Sequence, residues 1–360
     1  IDAEGNERFH KYIPADRLMV NYVEDYCYPF VIDRLCWEFP ALMPSDWDAQ
    51  HLNGTYALRT VLDMKAAIDA IVLKQGVFSL CFHPHGWIEN KQVVELINYA
   101  VSRHGRKVKF LTFGEVQKRF QENLLAGEAL RTEQGKDNGV RLCDVNNDSF
   151  MDVIIANERQ RVTRLWDPDS QSWSEVEFPV LLAKDSAARG ADVQFGVLAQ
   201  DGSASVFVGR NDVQGLWHFS EGQWRQDAGG LLGLDCGGPV TTLREHLDAG
   251  VRLRDLNRDG ICELIVSNTK QQAVFSWTGK LWRRHGSCLP AGLTIVDDQG
   301  RDAGLRFVDL NEDGYDDVVF SNASRYAAYA FDESVGGWSR LLMDQRRQGD
   351  KGELPMIVRG

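Results

Sequence analysis

Apolar residues recur along this chain in two rhythms. In "YALRTVLDMKAAIDAIVLKQG" (56–76) they return every three or four residues, which predicts a helix ending at Gly76. "NKQVVELINYAVSRHG" (90–105) predicts a second helix, with Val93, Val94, Leu96, Ile97, Ala100 and Val101 on one face, Asn90 as N-cap and Gly105 as C-cap. The short runs "VFSLCF" (77–82) and "KVKFLTF" (107–113) predict strands, and a further helix is predicted from Glu115 to Leu125. Strand–helix alternation of this kind predicts an α/β layer for residues 1–125.

From residue 126 the helical period disappears and the chain repeats itself. "GVRLCDVNNDSFMDVIIAN" (139–157), "GVRLRDLNRDGICELIVSN" (250–268) and "GLRFVDLNEDGYDDVVFSN" (304–322) align without gaps. Their leading aspartates, Asp144, Asp255 and Asp309, stand 111 and 54 residues apart, so a fourth unit belongs between the first two. "VQFGVLAQDGSASVFVGRN" (193–211) fills that place, with the acidic turn degenerate over 197–205: Val197, Ala199 and Ser205 replace ligand-type residues. An aromatic pair trails each unit: Trp166 and Trp173, Trp217 and Trp224, Trp277 and Trp282, Phe331 and Trp338. Four short strands per 50-odd residues predict the blades of a β-propeller, about four over 126–360, with the aromatics as inter-blade core. The fold class is therefore multidomain, a partial α/β unit followed by all-β blades.

The turns at 144–152, 255–263 and 309–317 read D-x-N-x-D-[GS]-x-x-[DE]. Oxygen donors at positions one, three, five and nine are Asp144, Asn146, Asp148 and Asp152; Asp255, Asn257, Asp259 and Glu263; Asp309, Asn311, Asp313 and Asp317. A carbonyl at position seven (Phe150, Ile261 or Tyr315) adds another. Hard oxygen ligands in that number suit Ca²⁺ better than Zn²⁺ or copper. An EF-hand is excluded, because position twelve is Ile155, Val266 or Phe320 inside an apolar run, where that motif needs Glu and flanking helices. At position six Ser149 replaces Gly in the first copy, so that loop is expected to be the weaker one. Solvated Asx turns without a metal are the alternative.

Net charge is −12, which argues against nucleic acid and anionic membranes as partners. Three Ca²⁺ ions would halve it. No apolar stretch approaches the ~18–20 residues of a membrane helix. The seven cysteines are odd in number and form no CxxC pair, so most are expected to be buried thiols.

The three acidic loops resemble those of FG-GAP/VCBS repeats, the integrin-α-like propeller family. That resemblance implies structural Ca²⁺ sites and an extracytoplasmic setting, periplasmic or secreted. Upstream, "ALMPSDWDAQH" (41–51) and "LCFHPHGW" (80–87) resemble the closing motifs of NodB-type polysaccharide deacetylases, metal-dependent hydrolases on a deformed β/α barrel. The resemblance implies that His83 is the general acid on the leaving amine, that Asp46 orients it and favours its protonated form, and that Trp47 lines the sugar groove. His85 and Trp87 lie nearby without an assigned role. The alternative is that both histidines merely hydrogen-bond in a strand-end loop. The Asp-Asp pair and His-x-x-x-His motif that hold the Zn²⁺-type ion in such enzymes do not precede these motifs here. Acetyl hydrolysis is therefore expected of a longer parent protein, with this chain clipped at both ends and inactive alone. Polysaccharide or glycan is the implied partner, with other proteins a further class through the propeller. The alternative function is a non-catalytic, calcium-stabilised adhesion or binding propeller.

Overall fold

The computed structural model describes residues 26–32, 35–42, 44–182, 192–286, 289–311, 313–349 and 353–358. Residues 1–25 and Cys288 lie outside them. The chain divides into one compact unit of residues 1–136 with 149–151 and 166–173, and a second holding the remainder.

Among the described residues the first unit contains a two-stranded antiparallel ribbon, β1 (Phe30–Ile32) with β2 (Cys36–Glu38), and four α-helices: α1 (Asp46–Asn53), α2 (Leu58–Lys74), α3 (Asn90–His104) and α4 (Phe113–Arg119). Helix α2 ends two residues before the predicted glycine, with Gln75 between them in the left-handed conformation. Helix α3 is capped by Glu89 rather than Asn90, because Glu89 and Gln92 form a reciprocal capping box. Its apolar residues divide. Leu96 packs in a core with Val61, Met64 and Ile88, while Val94, Ile97 and Val101 are exposed. The predicted stripe is wider than the surface α2 can cover.

The two predicted strands of this unit do not form. Residues 77–82 make a single parallel bridge, Ser79 to Ala41. Residues 105–107 continue α3 as a 3₁₀ turn, and Thr112 with Glu115 caps α4, which takes Phe113 into the helix. A β-prone sequence becomes a strand only where a neighbour supplies ladder partners, and among the described residues 108–112 pair with none. The predicted α/β alternation is thus replaced here by helices and one ribbon.

The second half is built of four four-stranded antiparallel sheets, each a simple meander in chain order. Sheet I is β3 (Val140–Cys143), β4 (Asp152–Ala156), β5 (Arg161–Asp167) and β6 (Ser172–Glu177). Sheet II is β7 (Val193–Val197), β8 (Ala204–Gly209), β9 (Gln214–Ser220) and β10 (Gln223–Asp227). A short hairpin, β11 (Leu243–Arg244) and β12 (Leu247–Asp248), precedes sheet III: β13 (Val251–Arg254), β14 (Glu263–Ser267), β15 (Gln272–Trp277) and β16 (Trp282–Arg284). Sheet IV is β17 (Leu305–Val308), β18 (Asp317–Ser321), β19 (Arg325–Asp332) and β20 (Gly337–Arg346).

The second strand of each sheet reads as an unbroken apolar run because it is covered on both faces. In β14, Leu264 and Val266 belong to a core shared with sheet II, and Ile265 to one shared with sheet IV. In the same way Ile154 and Ala156 of β4 pack with Val206 and Val208 of β8. Each such Leu, Ile or Val side chain contributes about 1.5–3 kcal/mol. Of the trailing aromatics Trp166, Trp217, Trp277, Trp282, Phe331 and Trp338 are buried. Trp282 donates its indole N–H to Gly230 O (2.9 Å), Trp224 to Thr163 Oγ1 (2.8 Å) and Trp338 to Asp316 O (2.7 Å). These rings are core, not stacking platforms for sugars.

A second repeated motif opens three of the sheets: "DNGVR" (137–141), "DAGVR" (248–252) and "DAGLR" (302–306). In each, the Asp accepts the glycine N–H (2.8–2.9 Å) and pairs with the Arg two residues beyond that glycine, at 2.6–2.7 Å. The glycine is left-handed, and its carbonyl accepts the N–H at the end of the second strand (Ala156, Ser267 or Ser321) at 2.8–3.0 Å. A Cβ on Gly250 would stand 2.1 Å from Ser267 O. Gly250→Ala is therefore expected to cost about 1–3 kcal/mol in urea unfolding. Gly279→Ala, also left-handed but with open space around it, is expected to cost less; equal losses would show that contact plays no part.

Candidate functional site

In the first unit two chain segments run side by side at the Ala41–Ser79 bridge, and the Asp46 N–H continues the contact to Cys81 O (3.4 Å). Ser45 caps α1 by accepting the Asp48 N–H (3.2 Å), which places Asp46 in the first turn. Asp46 is 1% exposed. Its Oδ2 accepts the His83 backbone N–H at 2.6 Å, and its Oδ1 lies 2.7 Å from His83 Nδ1. A carboxylate can only accept, so Nδ1 carries the proton and Nε2 is left for another partner. The imidazole side chain is 36% exposed, so it is accessible at one end and anchored at the other. The Trp87 ring leans on His83 (4.9 Å) and on His85 (5.1 Å), and the two imidazoles are 6.2 Å apart. Trp47 is 44% exposed and lies edge-on to His51 at 4.5 Å. The sequence-predicted pair is thus brought into contact, with Trp47 at the next helix position.

The acidic turns occupy one register in all sheets. Position nine is the partner, across the first hairpin, of the residue just before position one: Asp152 with Cys143, Glu263 with Arg254, Asp317 with Val308, and Ser205 with Gly196 in the degenerate unit. The position-nine acids are buried, and each accepts the N–H of position two (Val145, Leu256 or Leu310) at 3.0 Å. Asp255 and Asp309 also accept the N–H of Gly260 and Gly314 (2.9 and 2.8 Å). The Asn at position three donates to the Asp at position five in all three loops, at 2.7–3.0 Å. Position six is left-handed throughout: Ser149 (φ 70°), Gly260 (85°) and Gly314 (99°). Ser149 therefore carries strain that glycine avoids.

Three buried oxygens in these loops lack a hydrogen-bond partner: Asn146 Oδ1, Asp255 Oδ1 and Asp309 Oδ1. An unsatisfied buried acceptor costs about 1–3 kcal/mol, and its recurrence in equivalent loops fits a cation. Burial, with the Asp259 and Asp255 charges, pushes Glu263 up to about 7. Among the described residues no three His, Cys, Asp or Glu side chains gather at metal-binding distance.

Some site residues were missed by motif reading. Position four reaches the next sheet's turn. Asn147 donates to Asp201 O (2.9 Å), and Arg258 approaches Asp309 Oδ2 (3.8 Å). Arg254 pairs with Asp316 and covers the Phe307 ring at 4.9 Å. Only their constant offset from the loop signals them. The six described cysteines are free thiols. Among the described residues no helix is long and apolar enough to cross a membrane. A groove of about 510 Å³ lined by Gln214, Leu231, Leu234, Asp235 and Pro239 has its carboxylate engaged by the N–H groups of Gly237 and Gly238.

No protein-family profile matches the chain, and no curated relative does. Among solved structures it is similar to a lectin from Agrocybe aegerita that recognises non-reducing terminal N-acetylglucosamine, with a TM-score of 0.41 and 14% identity over 57% of this chain and 50% of that one. It is also similar to the Tc holotoxin pore of Photorhabdus luminescens (TM-score 0.37, 16% identity, 62% and 10% covered). The chain thus spans half the length of the lectin and a tenth of the toxin. Likeness at this level carries nothing about ligands.

The folded-state value for Glu263 lies above its unfolded 4.5. The unfolded chain loses that proton first, so in chelator the stability of the C-terminal unit is expected to fall as pH rises from about 4.5 to about 7. Urea midpoints across that window check it. Glu263→Gln should flatten the decline; an unchanged slope in that variant rejects Glu263 as its source.

Proposed function

We propose that this chain is part of an extracytoplasmic carbohydrate deacetylase carrying a calcium-stapled β-propeller of FG-GAP/VCBS type. The observation that carries the reading is the Asp46–His83 pair, a buried carboxylate holding Nδ1 of a half-exposed imidazole. In hydrolysis of an acetamide the tetrahedral intermediate collapses to acetate and amine only when the nitrogen gains a proton. His83 Nε2 delivers it when the ring is the imidazolium, leaving the neutral Nδ1–H form behind; the Asp46 carboxylate holds Nδ1–H, favours that charged form and leaves Nε2 facing substrate. Trp47 offers an apolar face for a sugar ring. When bound elsewhere in such an enzyme, a Zn²⁺-type ion activates the attacking water; the residues here supply the acid and its support.

Support for the propeller is four consecutive meanders, each packing a face on the next. Support for calcium is the recurrence of partnerless buried oxygens in equivalent turns. Asp144, Asn146, Asp148 and Asp152, with their counterparts 255, 257, 259, 263 and 309, 311, 313, 317, would hold the ions. The ions would offset carboxylate repulsion and pin the first hairpin of each blade.

Acetate release from N-acetylated oligosaccharides by the natural full-length polypeptide tests the catalytic reading. His83→Ala is expected to lower kcat by about 100-fold or more with little change in KM. An unchanged kcat in the variant would reject the acid. Glycan bound by the wild type without acetate release would leave a calcium-stabilised binding module instead. EDTA is expected to lower the Tm of the C-terminal unit by several kelvin, with recovery on adding Ca²⁺, and Asp313→Ala to reduce that response. A Tm indifferent to chelation would remove the calcium sites.

A further inference from the structure

The second sheet departs from the others where they carry oxygen ligands: Val197, Ala199 and Ser205 stand at positions one, three and nine. Ser205 is fully buried. Its Oγ lies 2.8 Å from Nδ1 of His218, its cross-strand partner on β9. On the other side of the ring, His218 Nε2 faces Asp227 Oδ2 on β10 at 3.5 Å. Asp227 is itself anchored, accepting the Gly229 N–H at 2.6 Å. The turn acid Asp201 accepts the Ser203 N–H at 3.0 Å, and its charge also reaches His218. From sheet III the Trp277 indole closes over the imidazole at 6.0 Å. Arg225, opposite His218 on β10, turns its guanidinium to Glu221.

A Ser–His–Asp chain invites comparison with a hydrolytic relay. Ser205 has no exposed surface, so no substrate can meet its hydroxyl. The chain has a different use. Asp227 can only accept, which places the ring proton on Nε2 and leaves Nδ1 to accept the Ser205 hydroxyl proton. A neutral imidazole then satisfies both neighbours at once. A second proton on Nδ1 would reverse that bond, making the Ser205 oxygen the acceptor and turning its own proton away, and would put a charge in a covered site.

We propose that Ser205, His218 and Asp227 form an acid-sensitive lock, in which a neutral imidazole ties β8, β9 and β10 together in the one sheet that lacks the oxygen ligands. The contrast with the other sheets rests on the calcium reading; the acid sensitivity does not. Burial holds His218 below its usual value of 6.5, and this outweighs the pull of Asp227. The unfolded chain takes up the proton first. The lock is therefore at full strength above about pH 6.5 and is lost as pH falls through the lower folded value.

Hydrogen exchange on the whole chain, read by mass spectrometry at pH 7.5 and 5.5 and corrected for intrinsic rates, tests this. Peptides covering 204–220 are expected to lose more protection at pH 5.5 than peptides covering 317–332, by up to about tenfold, the most that one unit of pH below the unfolded value of 6.5 allows. His218→Gln should abolish the difference. Equal losses in both regions, or the same pH response in the variant, would overturn the lock. Should His218→Gln fail to fold, ring ¹⁵N shifts of His218 in the wild type decide: a proton on Nε2 and titration below 6.5 support the lock, and a proton on Nδ1 or titration above 6.5 overturns it. EDTA at pH 7.5 separates the two readings, since failure of the calcium sites would leave every sheet unmoved by chelator while the acid response of 204–220 persists.

Discussion

The C-terminal unit depends on a buried acid at the start of the second strand in three of its four sheets. Asp152, Glu263 and Asp317 sit among apolar neighbours because the sheet is covered on both faces there. Each caps the N–H seven residues earlier and so closes a tight turn. That closure forces the carboxylates of positions one and five onto one small loop. The same burial that makes the hairpin rigid makes its charges expensive, and the cost is visible in the raised value of Glu263 and in acceptors left without donors. Either a cation or a change of residue type can relieve it. Sheet II shows a change of residue type, with Ser205, bonded to His218, where the other sheets carry the acid.

Around each turn a second set of polar contacts holds the sheets in register. The Asp–Gly–Arg motif fixes where the first strand begins, through a left-handed glycine whose carbonyl receives the end of the second strand. Arg254, Arg258 and Asn147 then tie one turn to the next. Sheets that share cores and bridged turns couple mainly to their neighbours, so a local change in one turn propagates a single step.

The first unit has a different logic. Its helices cover part of one another and leave Val94, Ile97 and Val101 exposed. What it orders well is the Asp46–His83 contact. A helix start and a loop end are brought together by one parallel bridge, and the carboxylate engages both backbone and side chain of the same residue. Bonding both leaves the imidazole little freedom to turn.

Much of this was legible in the residues alone. Repeats in one register revealed four sheets, their acidic turns and the aromatic core, because each strand's burial and each turn's backbone demand are local properties that recur. The helices at 58–74 and 90–104 followed from spacing for the same reason. The strands at 77–82 and 107–113 did not, since a strand exists only with a partner that local sequence does not name. The Asp46–His83 distance, the partnerless oxygens and the Ser205–His218–Asp227 chain also lay beyond reach. Asp46 and His83 stand 37 residues apart, Ser205, His218 and Asp227 meet only across neighbouring strands, and in each case packing decides which polar groups end buried side by side.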